Sequence, residues 1–209
     1  MVDENKFFRN ATFAICGNLQ IEEAMKDSIG VIREHIPVDR MFLQIFEPEL
    51  GAMRTIAIAS VEEGKQVNLL TPLPEEARAR IATNLKQDSK QIVIIESPEK
   101  NPVARVMLRF HGLEGWSVMR MRLSTGQGKL GGVVLGAEGP DRYNEKHGKL
   151  LGLLREPFNV AFINTLQHRE VLKLKERLTD DNRYLQTELR RISGDEIVGI
   201  DFGLREVMH

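Results

Sequence analysis

An α+β fold, with a central antiparallel sheet, helices on both of its faces and a long C-terminal helix, is what this sequence predicts. Three observations carry the prediction. Helical and strand-like periodicities alternate up to Ala137, a pattern that mixes both element types in one layer system. Strand-like segments come in pairs joined by turn chemistry, as antiparallel hairpins require. Beyond Asn144 the strand signal ends and helical spacing continues to Ile192.

The first helix spans Phe7 to Leu19, with Phe7, Ala11, Ala14 and Ile15 on one side. In the second, from Ile21 to His35, Ala24, Met25, Ile29, Ile32 and Ile36 recur at helical spacing until Pro37 ends it. Asp39–Phe46 is strand-like, Pro48-Glu49-Leu50-Gly51 is a turn, and Met53–Ser60 returns as a partner strand with Ile56 and Ile58 on one face. Pro74-Glu75-Glu76-Ala77-Arg78 starts a short helix, with proline in the tolerated first turn and acids near the N-terminus. Gln91–Ile95 is a short apolar strand, and Asn101-Pro102 opens a helix to Phe110 closed by Gly112. Trp116–Leu123 and Leu130–Ala137 are two further strands around the Ser124–Lys129 turn. The last helix begins near Asn144, and Pro157 predicts a kink or a helix start within it.

The composition is that of a soluble globular domain, 42% hydrophobic and 28% charged over 209 residues, enough for one core plus an extended element. A formal net charge of −1 supplies no broad positive field for nucleic acid. Cys16, the single cysteine, excludes an internal disulfide and a multi-cysteine metal site and fits a reducing cytoplasm. Near the end of the first helix, it is expected to be a small buried hydrophobe. No apolar run approaches the length of a membrane span, and Met1-Val2-Asp3-Glu4-Asn5 is polar and acidic. A cytoplasmic protein with no membrane partner is expected.

Beyond His168 the pattern narrows. Val171, Leu178, Leu185 and Ile192 recur every seven residues, with Leu174 and Leu189 partly filling a second seam and Asp181 interrupting it. A stripe this narrow cannot wrap a core but suits a partner helix. The expectation is a parallel dimeric signalling helix, against the plainer reading of a solvated helix packed on its own domain. A weakened seam also suits a switch, since it changes register at small energetic cost.

Two stretches resemble known families. The order of elements over roughly residues 6–168 is similar to the GAF fold. Val160-Ala161-Phe162-Ile163-Asn164-Thr165-Leu166-Gln167-His168-Arg169-Glu170 resembles the last GAF helix of bacterial sigma-54-dependent transcriptional activators. Ile197-Val198-Gly199 followed by Leu204-Arg205-Glu206-Val207 resembles the start of the AAA+ ATPase domain of the same activators. The resemblance implies a GAF sensory domain over 1–168, a coiled-coil-like linker helix over 169–193 and the incomplete beginning of an ATPase domain over 194–209. It implies a non-enzymatic fragment, with ATP hydrolysis, sigma-54 RNA polymerase contact and enhancer DNA binding belonging to the full-length protein.

Other motifs are set aside. Gly126-Gln127-Gly128-Lys129-Leu130-Gly131 satisfies GxGxxG, but a strand follows it instead of the helix a dinucleotide site requires. A P-loop is missing, because Leu123 stands where the first glycine should be and Leu130 follows Lys129. His35, His111, His147, His168 and His209 show no metal-ligand spacing; His35 and His147 are expected on helix surfaces. One cysteine cannot hold an iron–sulfur cluster or run methionine-sulfoxide reductase chemistry. The NKFDE signature and the bilin-attachment cysteine of other GAF proteins are unmatched. No cofactor is identifiable.

What the GAF resemblance leaves is a small-molecule pocket against one sheet face. Alternation divides Ser117–Leu123 into a core side, Met119, Met121 and Leu123, and an opposite side, Val118, Arg120 and Arg122. In the first strand Phe42, Gln44 and Phe46 share a face. The candidate ligand-binding set is Phe42, Gln44, Phe46, His111, Trp116, Val118 and Arg120, with His111 and Trp116 at the mouth. A partly covered arginine among aromatics suits a carboxylate or similar anion; the alternative is that Arg120 and Arg122 are solvent-facing. The two functional readings are a small-molecule sensor controlling an ATPase through a homodimeric helix, and a ligand-free GAF interaction module. Arg120, Gln44 and His111 converging on a cavity would favour the first. A pocket closed by Phe42, Phe46 and Trp116 would favour the second.

Overall fold

The computed structural model describes residues 3–86, 91–124 and 130–193. The Gly126 and Gly128 turn and the expected ATPase start over 194–209 lie outside the described residues. Residues up to Thr165 form one compact unit, and a second begins at Leu166.

Helices α1 (Glu4–Cys16) and α2 (Ile21–Ile32) precede strand β1 (Arg40–Glu47). Strands β2 (Ala52–Ala59) and β3 (Gly64–Pro72) follow, then helix α3 (Glu75–Lys86) and strand β4 (Ile92–Ile95). Helix α4 (Pro102–His111) leads into strands β5 (Ser117–Ser124) and β6 (Leu130–Ala137), and α5 (Glu145–Leu153) and α6 (Arg155–Ser193) end the described chain. The strands form a six-stranded sheet in the order β3-β2-β1-β6-β5-β4, with antiparallel pairing throughout.

Alternation on the three central strands builds the main core. Met41, Leu43, Met119, Met121, Leu123, Val133 and Leu135 are almost wholly buried, and Phe158 and Phe162 of α6 are buried with them. α2 packs on β2 and β3, and α5 on β4 and β5. α3 and α4 cover the other face, where Leu73, Ala77, Ile81 and Met107 form a cluster joined by Phe46 and Met53.

Three features differ from the sequence expectations, and a fourth decides between two of them. Strand β3 was not anticipated: as an edge strand it has one neighbour and leaves Lys65, Gln66, Asn68, Leu69 and Leu70 exposed, so no alternation marks it. β2 carries a bulge at Ile56, with Leu43 opposite Ala57 but Gln44 opposite Thr55, so the expected shared face of Ile56 and Ile58 is broken. Cys16 is exposed and not the buried hydrophobe expected; Phe7, Ala11 and Ile15 form the buried stripe, and the next position turns about 100° away from it. Pro157 marks a helix start, because α5 ends at Leu153 and α6 begins at Arg155, leaving proline in the first turn.

Within the second unit Val171, Leu174, Leu178, Leu185 and Leu189 are each at least half exposed, Leu178 at 63%. The side chain of Ile192 lies outside the described residues.

Candidate functional site

The sheet face beneath α3 and α4 is laid out in rows. Arg120 of β5 pairs with Val134 of β6, Val134 with Phe42 of β1, and Phe42 with Ile58 of β2. One row further along are Arg122, Gly132, Gln44 and Thr55. Paired residues share a face, so the bulge at Ile56 brings the Thr55 hydroxyl beside Gln44.

Helix α4 closes this face. Asn101 caps it, its side chain accepting hydrogen bonds from the Val103 and Ala104 amides at 3.1 Å, and Pro102 occupies the first turn. Gly112, at φ 66°, ends it in the left-handed region, where a side chain would be strained. The helix therefore stops at His111, whose ring lies 4.8 Å from that of Phe42.

Between sheet and helices is a cavity of about 150 Å³, beside a smaller one of about 60 Å³. Gln44, Met53, Asn84, Arg120 and Val134 line both. The larger has mainly aliphatic walls, including Ile95, Met107, Leu108 and Val118. Arg122, Gly132 and Phe46 line the smaller.

The polar groups are few. Gln44 Nε2 donates to Thr55 Oγ1 at 3.5 Å, and His111 Nε2 lies 3.5 Å from the same oxygen. Both distances are at the long limit of hydrogen bonding. With Gln44 as donor, the hydroxyl proton of Thr55 is left for an unprotonated His111 Nε2. Burial, and secondly Arg40, push the His111 pKa below its ordinary value, so the ring is neutral at pH 7.

Arg120 is half-buried, and its Nε is buried without a hydrogen-bond partner. Burial first, and then Arg122, lower its pKa. Arg122 donates from Nη1 to the Asn84 carbonyl at 3.4 Å. Among the described residues no aspartate or glutamate lines either cavity. Buried cationic charge without a facing carboxylate favours an anion.

Of the seven candidate residues, Phe42, Gln44, His111, Val118 and Arg120 line the larger cavity and Phe46 the smaller. Trp116 lines a separate hollow with Glu114 and Asp141. Its ring lies over Gly136, where an added Cβ would come within 3.3 Å, and 6.0 Å from the Arg40 guanidinium. Sequence reasoning missed Thr55, which the bulge concealed, and Met53, Asn84 and Met107 on segments whose facing it left open. Among the described residues no group of three or more His, Cys, Asp or Glu side chains could hold a metal, and no helix is long and apolar enough to cross a membrane.

The sheet order, the two covered faces and the cavity under α3 and α4 are those of the GAF fold, and solved structures agree. The chain is similar to the phycoerythrobilin-bound GAF domain of a cyanobacterial phytochrome, with TM-score 0.54 and 17% identity over 80% of this chain and 99% of that one. It is similar to the free methionine-R-sulfoxide reductase of Neisseria meningitidis, with TM-score 0.53 and 11% identity over 79% of this chain and 91% of that one. At such identities the shared property is the fold. No family model matches the chain. In sequence it is related to a bacterial transcriptional activator, being 23% identical over 193 residues, 90% of this chain, to the formate hydrogenlyase transcriptional activator of Salmonella typhimurium strains SL1344 and LT2. The chain spans 28% of the length of those relatives. The chain thus has the GAF fold and is similar in sequence to part of a transcriptional activator.

Proposed function

We propose that this chain is the sensory region of a cytoplasmic sigma-54-dependent transcriptional activator. A small-molecule effector occupies the cavity under α3 and α4, and α6 carries its effect as a homodimeric linker to a following AAA+ ATPase. In the full-length protein, sigma-54 RNA polymerase and enhancer DNA are the partners. The effector shifts the balance by binding one arrangement better than another. The observation that carries this reading is the convergence of Gln44, His111 and Arg120 on one cavity. Trp116, expected to help close a ligand-free module, packs behind the Phe42, Leu108, Leu113 and Val118 cluster and does not itself line the cavity. Support for the linker comes from the exposed leucines at positions 174, 178, 185 and 189, which a partner helix would cover.

Native mass spectrometry of the 209-residue chain tests both halves. A dimer carrying a stoichiometric small-molecule adduct is expected. A monomer at every concentration would overturn the linker, and an adduct-free chain that takes up no added small molecule would overturn the sensor.

A further inference from the structure

Arg120 stands at the junction of two unequal chambers. It lines the larger one, whose walls are mainly aliphatic with Arg80, an exposed residue, and Asn101 among the polar exceptions, and the smaller one, where the half-buried Arg122 adds a second guanidinium. A fully polar ligand would leave the larger chamber's aliphatic walls, Ile95, Met107, Leu108 and Val118 among them, facing water. A purely apolar one would leave the Arg120 Nε, buried and without a partner, in a still drier site at higher electrostatic cost. Both demands are met by a ligand with two unlike ends. A space of this size, lined by hydrocarbon, accommodates a body the size of a benzene ring.

The geometry points to an amphipathic monocarboxylate as the ligand, with its carboxylate at Arg120 on the side of the smaller chamber and its apolar body in the larger one. This rests on the sensor reading above and names the chemical class that reading leaves open. Arg120 presents a planar fork that a carboxylate matches with two hydrogen bonds. Gly132 contributes to the same end: an added Cβ there would sit 3.7 Å from Arg120 Cγ and 3.1 Å from the Met121 carbonyl oxygen, so glycine leaves the arginine stem room beside the small chamber. Gln44 lines both chambers with Arg120, and its amide supplies a neutral hydrogen-bonding group at the junction. Neutral His111 lines only the larger chamber, so it does not compete with Arg120 for the anion.

Calorimetric titration of the 209-residue chain with acetate, butanoate, hexanoate and benzoate tests the assignment, with hexanol and benzene as uncharged probes. Affinity should rise about fourfold per methylene along the fatty-acid series as hydrocarbon is buried. Hexanoate should bind on the order of tenfold or more tightly than hexanol through the charged fork. In Arg120→Met the carboxylate preference should vanish while benzene still binds, and an unchanged circular dichroism spectrum would show that the variant is folded. Acetate binding as tightly as hexanoate would overturn the two-ended ligand. Benzene or hexanol binding at least as well as the carboxylates would overturn the anionic end while leaving the sensor reading in place. Uptake of none of these probes by the folded chain would overturn the amphipathic ligand, and failure of native mass spectrometry to find any other adduct would separately overturn the sensor reading.

Discussion

Gly131 of β6 faces the ring of Phe162 of α6 at a distance that admits a hydrogen and nothing larger: an added Cβ would lie 2.4 Å from Phe162 Cζ and within 2.9 Å of two further ring atoms. Phe162 is fully buried, so its ring has no open side to yield toward. Gly131→Ala is expected to destabilise the chain by about 2 kcal/mol through overpacking, read as a lowered urea midpoint at unchanged slope. Phe162→Leu in that background should recover part of the loss, a coupling measurable by a double-mutant cycle.

Arg120 sits where burial disfavours its charge and no carboxylate faces it among the described residues. Replacing it with Met, of similar length and apolar, should raise stability by about 1 kcal/mol. Urea unfolding checks this independently of any ligand. A clear loss of stability instead would mean that the guanidinium is held by the fold and not held in readiness for an anion.

Acidification should weaken the fold through its histidines. Burial holds the His111 pKa below 6.5 in the folded chain, so as pH falls the unfolded chain takes up the proton first. The stability from the neutral ring is therefore complete above pH 6.5 and is lost as pH drops through the folded-state pKa. His147, also lowered by burial, contributes with the same sign. His111→Gln should flatten the fall in melting temperature below pH 6.5, and His111→Gln with His147→Gln should flatten it further.

The exposed leucines of α6 give a test that leaves the first unit untouched. Leu178→Glu with Leu185→Glu places two like charges at heptad-spaced positions on each helix of the proposed parallel pair. Sedimentation equilibrium should show the dimer weakened by on the order of a hundredfold or more, with the thermal unfolding of the GAF domain unchanged.

How legible the molecule was in its sequence depended on where burial imposes a period. β5 was readable because Met119, Met121 and Leu123 are buried on one side and the arginines lie between them, so burial and charge alternate together. α6 was readable as a helix for its regular spacing, and its break from α5 for Pro157. β3 was not, since a mostly exposed edge strand carries no apolar alternation. α3 showed its start but not its extent, because only Ala77 and Ile81 of its described residues are buried. In the site, Phe42, Gln44, Val118 and Arg120 followed from strand alternation and His111 from the glycine that stops α4. Trp116 did not, because it precedes its strand, where alternation has no hold, and Gly136 offers its ring a place outside the cavity.

The bulge in β2 decides which of its side chains reach the cavity face. On its N-terminal side the odd-numbered Met53 and Thr55 match the cavity-facing residues of β1, and on its far side the even-numbered Ile58 does. Had the strand kept regular pairing, Ile56 and Arg54 would stand opposite Gln44 and Phe46, exchanging a hydroxyl and a thioether for a hydrocarbon and a further guanidinium. Arg54 would also leave Glu47, which it now holds in an ion pair. A substitution at Met53 changes the lining of both cavities directly, and one at Thr55 acts through Gln44 and His111. A slip of this bulge along β2 would therefore exchange the side chains on both of its faces in one step, where a point substitution changes a single contact.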